Sequence, residues 1–133
     1  MLSRKRLGGG MPAIRVFLVD DSREFLQFTR ALLDELTNLE VVGSATSAEE
    51  AFTSIERLRP DLVLMDWAMA GMSGLEATRL LKDRPAAPRV VLVTGSDTPE
   101  YRRAAEAAQA DGFLAKPDLL QGLAPLVGRL FGG

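Results

Sequence analysis

Apolar and polar positions follow two different rhythms along this chain. Residues 14–20 (IRVFLVD) form an almost unbroken apolar run, rich in β-branched residues and closed by an acid. The same grammar returns at 40–46 (EVVGSAT), 61–66 (DLVLMD), 89–95 (RVVLVTG) and, more weakly, 112–116 (GFLAK). Unbroken apolar strands are covered on both faces, which predicts a parallel sheet clothed by helices. Between these runs the apolar residues recur at helical spacing. Residues 22–37 set Phe25, Phe28, Leu32, Leu33 and Leu36 on one stripe, and 48–59 do the same with Ala51, Phe52, Ile55 and Leu58. Ser47 with Glu50, and Ser73 with Glu76, are spaced as capping boxes. Pro99 suits the first turn of a fourth helix, over 99–110, capped by Asp97 or Thr98. That helix is alanine-rich and should be loosely anchored. A fifth, over 118–130, carries Leu119, Leu123, Leu126, Val127 and Leu130, with Gly122 and Pro125 inside it. An interior proline lacks one helix hydrogen bond, so a kink is expected there. Strict strand–helix alternation with right-handed crossovers gives a doubly wound α/β sandwich.

Size and composition narrow the possibilities. The 133 residues suit one domain, read here as 13–133. Residues 1–12 read as a flexible tail in which Arg4, Lys5 and Arg6 precede Gly8, Gly9 and Gly10. Three basic side chains are few beside the roughly 6–10 phosphate contacts of a strong polyanion binder, and the net charge is −2, so no direct nucleic-acid binding is expected. Histidine and cysteine are both absent, which excludes disulfides, Cys/His zinc sites, histidine-ligated haem and every His-based triad. Chemistry must run on carboxylates, hydroxyls, lysine or arginine, with a hard metal if any. No apolar run approaches the ~20 residues of a membrane span, and no signal-peptide core is present, so a cytoplasmic location without membrane contact is expected.

In doubly wound sheets, ligands bind beyond the carboxyl ends of the strands. Those ends carry Asp20 and Asp21, then Asp66, Thr94 and Lys116. Neighbouring strands lie ~4.8 Å apart, so acids ending adjacent strands can share one small cation. Clustered carboxylates oppose one another's ionisation, and a divalent cation relieves that cost. An all-oxygen donor set favours Mg²⁺, with Mn²⁺ as a substitute. This combination suits phosphoryl transfer to a carboxylate, with Asp66 as acceptor and Lys116 and Thr94 cradling the incoming oxygens.

These five positions, with Pro117 after Lys116 and the stretch DWAMAGMSGLEATR, resemble the receiver domain of two-component response regulators over residues 14–130. The resemblance implies a flavodoxin-like (CheY-like) five-stranded parallel sheet in the order 2-1-3-4-5. It implies that Asp66 accepts a phosphoryl group from a histidine kinase or a histidine phosphotransfer protein. Asp20, Asp21, Asp66 and the backbone carbonyl of Ala68 would hold Mg²⁺. Thr94 and Phe113 would act as switch residues, and Lys116 would bind the phosphoryl group. A cis Lys116–Pro117 bond is implied as well. Phosphorylation would then reshape the face made by the fourth helix, fifth strand and fifth helix, for a downstream protein target or a homodimer.

The sequence departs from the family pattern at Ala70, usually proline, at Ser73, often aspartate, and at Ala68, small where many members are polar. None of these is a reacting group. Taken singly, the site residues have plainer readings: Asp21 and Glu24 as a capping box, Thr94 as a turn residue, Phe113 as core. Trp67 reads as a cover for the edge of the acidic site, and Arg102 with Arg103 as a solvated helix face. The competing function is a phosphorylation-independent interaction module on the same fold. A flavodoxin or a haloacid-dehalogenase-type phosphatase fits poorly, because Asp20-Asp21-Ser22 is neither a neutral phosphate loop nor Asp-x-Asp. The expected role is a stand-alone switch rather than a turnover enzyme, although a receiver taken from a longer regulator would read the same.

Overall fold

A computed structural model describes residues 12–132. The basic stretch and glycines assigned to a tail thus lie outside the described residues. Five strands, β1 (Ile14–Val19), β2 (Leu39–Ala45), β3 (Leu62–Asp66), β4 (Arg89–Thr94) and β5 (Gly112–Ala115), alternate with five helices, α1 (Arg23–Asp34), α2 (Ala48–Leu58), α3 (Gly74–Lys82), α4 (Pro99–Ala107) and α5 (Leu119–Phe131). The strands form one sheet in the order β2-β1-β3-β4-β5, every pairing parallel. The expected doubly wound topology is therefore the one found. A register shift between Val16 and Phe17 leaves one extra residue in β2.

Each face of the sheet feeds its own core. Val16, Leu18, Leu62, Leu64, Val91 and Val93 pack with Leu26 and Leu33 of α1 and Leu119, Leu123 and Leu126 of α5. Phe17, Val63, Met65, Val90 and Leu92 pack with Ala51 and Ile55 of α2, Ala77 and Leu81 of α3, and Ala105 of α4. The central strands are thus apolar on both faces because both faces are covered, which is the physical reason for their unbroken hydrophobicity. Ala105 is the buried residue of α4, so this helix rests on the sheet through one methyl group, in line with its expected light anchoring.

Two local expectations, the α1 stripe and the cis bond, need correction, and the plainer reading of Asp21 as a cap falls away. The buried positions of α1 are Leu26, Thr29 and Leu33, while Phe28 is 52% exposed. The inward stripe is rotated toward Leu26, because Phe28 packs on Phe25 at 5.9 Å instead of entering the core. The cap of α1 is Ser22, whose Oγ accepts from the Phe25 amide, and not Asp21. No cis peptide bond occurs among the described residues, so Lys116–Pro117 is trans. Lys116–Asp118 instead forms a 3₁₀ turn leading into α5, a use of proline's fixed φ at a helix start that the ordinary trans bond satisfies. α5 continues through Pro125 as a single helix.

Candidate functional site

The strand ends gather the acids. β1 stops before Asp20, and β3 ends on Asp66 in the adjacent position. Asp20 and Asp66 are 3% and 4% exposed, whereas Asp21 faces outward. Each of the three offers a carboxylate oxygen within 4.8 Å of the others. Such spacing without compensation is unfavourable, and Asp66 bears part of that cost. Burial first, then the charge of Asp20, lifts its carboxyl from 3.8 to about 6, while Lys116 pulls the other way.

Lys116 stands at the end of β5 with its Nζ 3.1 Å from Asp20 Oδ2 and 3.4 Å from Asp66 Oδ1. Burial disfavours its charged form, but contact with Asp20 and the charge of Asp66 outweigh burial and hold the ammonium above its usual range. The trans bond to Pro117 does not prevent this reach, because the four-carbon stem of lysine spans the gap. Thr94, at the end of β4, is buried, and its Oγ1 accepts from the Ser96 amide at 3.4 Å. Gly95 beside it is exposed, and a Cβ built there would meet nothing within 4 Å, so the entrance is open as expected.

Loop bonds fix the carboxylates. Asp20 Oδ1 accepts from the Ser22 amide at 2.8 Å, and Asp21 Oδ2 accepts from the Ala70 amide at 3.3 Å. That second bond gives the Ala70 departure a structural use, since proline in its place has no N–H to donate. Asp20 Oδ2 is buried, faces the Lys116 ammonium, and makes no well-aligned hydrogen bond to a protein donor. Three convergent carboxylates, with the buried Asp20 Oδ2 held by an ammonium alone, form a donor set that fits a hard divalent cation. Ala68 follows two residues after Asp66 with an exposed methyl group.

The close approach of Gly74 and the ring contact of Phe25 escaped the sequence reading, and the structure adds partners to Arg102 and Trp67. Gly74, the first residue of α3, lies so close to the Asp66 backbone that an added Cβ would fall 1.9 Å from its carbonyl oxygen. Its amide also donates to the Trp67 carbonyl at 2.8 Å, so α3 is seated directly behind the Asp66 end of β3. The available signal was a glycine directly after a serine cap, a poor helix former in a position that needs close approach. Arg102 is exposed, as read, and also has partners. It forms a two-bond pair with Asp97, each bond 2.7 Å, and lies over the Phe113 ring at 5.1 Å. Trp67 packs edge-on against Tyr101 and Phe113, with centroids at 4.8 and 6.2 Å, and so links the end of β3 to α4 and β5. Phe25, read only as helix stripe, stands 4.3 Å from the Lys116 ammonium.

A roomier groove of about 700 Å³ lies at the other end of the strands, beside Arg59, Pro60, Asp61, Leu81 and Arg89. It shares no residue with the acidic cluster. Among the described residues no helix is long and apolar enough to cross a membrane.

Comparison with known proteins agrees with this geometry. The profile of the response regulator receiver domain matches residues 16–124. The response regulator GacA of Pseudomonas viridiflava is 36% identical over 121 residues, which cover 90% of this chain and 56% of that protein. A protein-glutamate methylesterase/protein-glutamine glutaminase of Geobacter metallireducens is 36% identical over 104 residues, 78% of this chain and 30% of that protein. The chain thus spans from about a third to about half of these relatives. Among solved structures, the signal receiver domain of the response regulator NarL from Mycobacterium tuberculosis superposes with a TM-score of 0.83 at 27% identity, covering 91% of this chain and 98% of that one. The response regulator domain of Thermotoga maritima CheB gives 0.77 at 27% identity, covering 90% and 94%. With the acids, the hydroxyl and the lysine on successive strand ends of this sheet, the chain belongs to the response regulator receiver domains, the phosphorylation-based signalling modules of two-component systems.

Proposed function

We propose that this receiver is a switch that accepts a phosphoryl group on Asp66 in a Mg²⁺-dependent reaction and passes the signal to a protein partner. The observation that carries the reading is the convergence of Asp20, Asp21 and Asp66 around one small volume with the Lys116 ammonium beside it. Asp20, Asp21 and Asp66, with the Ala68 carbonyl, would hold the cation. Mg²⁺ when bound supplies charge neutralisation for the anionic group that approaches a carboxylate.

The remaining work belongs to the chain. An Asp66 carboxylate oxygen attacks phosphorus, and the bond from phosphorus to the donor breaks. The donor leaves with the electron pair, as acetate from acetyl phosphate or as imidazole from a phosphohistidine. The product is an acyl phosphate on Asp66. Lys116 has to turn from Asp20 and Asp66 to the new phosphoryl oxygens, a short movement for an ammonium that already lies 3.4 Å from the acceptor carboxylate. The Thr94 hydroxyl exchanges its weak loop bond for a bond to the phosphoryl group. The displaced loop then alters the packing of Phe113 and Trp67 and with it the surface of α4, β5 and α5.

The physiological donor is a histidine kinase or a histidine phosphotransfer protein, and the outcome is partner binding or homodimerisation through that face, without turnover of a substrate. Two longer relatives, one named a methylesterase/glutaminase and the other the response regulator GacA, support a role in which the receiver controls a protein output. In the test, acetyl phosphate with Mg²⁺ adds one phosphoryl group, detected by Phos-tag gel or intact mass. Chelation or Asp66→Asn abolishes the addition. Undiminished labelling of Asp66→Asn would overturn the proposal.

A further inference from the structure

Lys116 is held by more than carboxylates. Its Nζ sits 4.3 Å from the centroid of the Phe25 ring, within the range of a cation–π contact. The ring is itself fixed. Phe25 donates its amide to Ser22 Oγ at 3.2 Å, and the Ser22 amide donates to Asp20 Oδ1 at 2.8 Å. The other oxygen of Asp20 faces the Lys116 ammonium at 3.1 Å. These contacts form a closed circuit, running from Asp20 through Ser22 to the Phe25 ring, across to Lys116 and back to Asp20. The ring also packs on Phe28 and against the core beneath α1, so it cannot swing freely.

We infer that Phe25 is a positioning residue for Lys116, offering the ammonium a seat on its ring face. The argument rests on the reading of Asp66 as phosphoacceptor given above. Asp20 and Asp66 are ligand candidates for a divalent cation, and a carboxylate shared with a cation attracts lysine less. A ring face neither binds Mg²⁺ competitively in water nor changes protonation, so its attraction for the ammonium persists when the carboxylates are engaged. It also carries no full charge to oppose an incoming phosphate. An aliphatic residue in its place would cover the core but would lack the quadrupole that attracts a cation.

The test uses the full chain with Phe25→Leu, Phe25→Tyr and a 3,4,5-trifluorophenylalanine at position 25, which keeps the ring shape while cancelling most of its quadrupole. In the unphosphorylated protein, NMR of the Lys116 ε-methylene group should show an upfield ring-current shift that Phe25→Leu removes and Phe25→Tyr retains. With saturating Mg²⁺ and acetyl phosphate, Phe25→Leu and the fluorinated protein should label about fivefold more slowly, and Phe25→Tyr within twofold of the parent. The Mg²⁺ affinity should stay within twofold throughout. The inference is overturned if the Lys116 signal is the same with and without the ring, or if the fluorinated protein labels at the parental rate. Should the parent protein not label at all, the phosphoacceptor reading fails instead, and the NMR comparison still decides where the ammonium sits.

Discussion

Asp66 pairs a buried carboxyl with two neighbouring acids, and its response to pH follows from that. Its carboxyl titrates near 3.8 when unfolded and at about 6 when folded, chiefly because burial and then Asp20 disfavour the charge. Below 3.8 it is neutral in both states and contributes nothing. As pH rises to about 6 the unfolded chain has already released the proton, so the metal-free fold loses stability across that window and holds level above it. The shift corresponds to roughly 3 kcal/mol at 1.36 kcal/mol per unit, and solvent screening reduces this to about 2. Metal-free Asp66→Asn should therefore be about 2 kcal/mol more stable than the parent at pH 8 and equal to it at pH 4, measured by urea unfolding. Equal stability at both pH values would show that the carboxyl is not strained by its neighbours. Gly74 acts by what it lacks. A methyl group there would meet the Asp66 carbonyl oxygen, so Gly74→Ala should lose about 3 kcal/mol of stability in the same assay. A loss below about 1 kcal/mol would mean that α3 is not seated against the acceptor. Asp20, Asp21, Asp66, Thr94 and Lys116 were legible because chemistry-bearing residues close apolar runs. Gly74 and the ring of Phe25 were not, because close approach and ring–cation contacts depend on how helices settle on the sheet.

The helices hold the strand ends with unequal force, and this too has a sequence origin. Ser22, Ser47, Ser73 and Thr98 each accept an amide hydrogen bond at the start of a helix, so the turns on the acidic side of the sheet are well defined. At the other end Asp111 joins three elements. It accepts from Lys82 at the end of α3 at 2.7 Å and from the Val90 amide in β4 at 2.8 Å, just before β5 begins. Asp111→Ala leaves a part-buried ammonium and an amide without this partner, and should cost about 2 kcal/mol of stability while leaving Asp66 labelling intact. Loss of labelling at full stability would contradict that division of labour. By contrast α4 buries one alanine and leans on the Trp67–Tyr101–Phe113 cluster. A lightly held helix beside Thr94, the proposed switch residue, is the element best able to move. Apolar runs and stripes, with the caps at Ser73 and Thr98 and with Pro99, made the ten elements legible. The apolar stripe misjudged the inward face of α1, where Phe28 stays outside the core, and the resemblance implied a cis bond before Pro117 where the bond is trans.

At the scale of the whole molecule, the three acids share one rim of the sheet, and a cation bound there would couple to global stability. A ligand that binds only the folded state at 100 times its Kd adds about 2.7 kcal/mol. Mg²⁺ at that excess should raise the Tm at pH 8 by several degrees, chelation should reverse the gain, and Asp21→Ala should remove most of it. Protonation of Asp66 should weaken the effect as pH falls through about 6. A Tm indifferent to Mg²⁺ would place the cation elsewhere or nowhere. The measurement closest to the central claim is chemical: borohydride reduction after acetyl phosphate treatment, followed by peptide mass mapping, since reduction of an aspartyl phosphate leaves homoserine. The account predicts homoserine at position 66 and at no other carboxylate, formed with Mg²⁺ and absent after chelation. Homoserine at a different aspartate, or none under conditions where the protein is folded and Mg²⁺ is present, would contradict it.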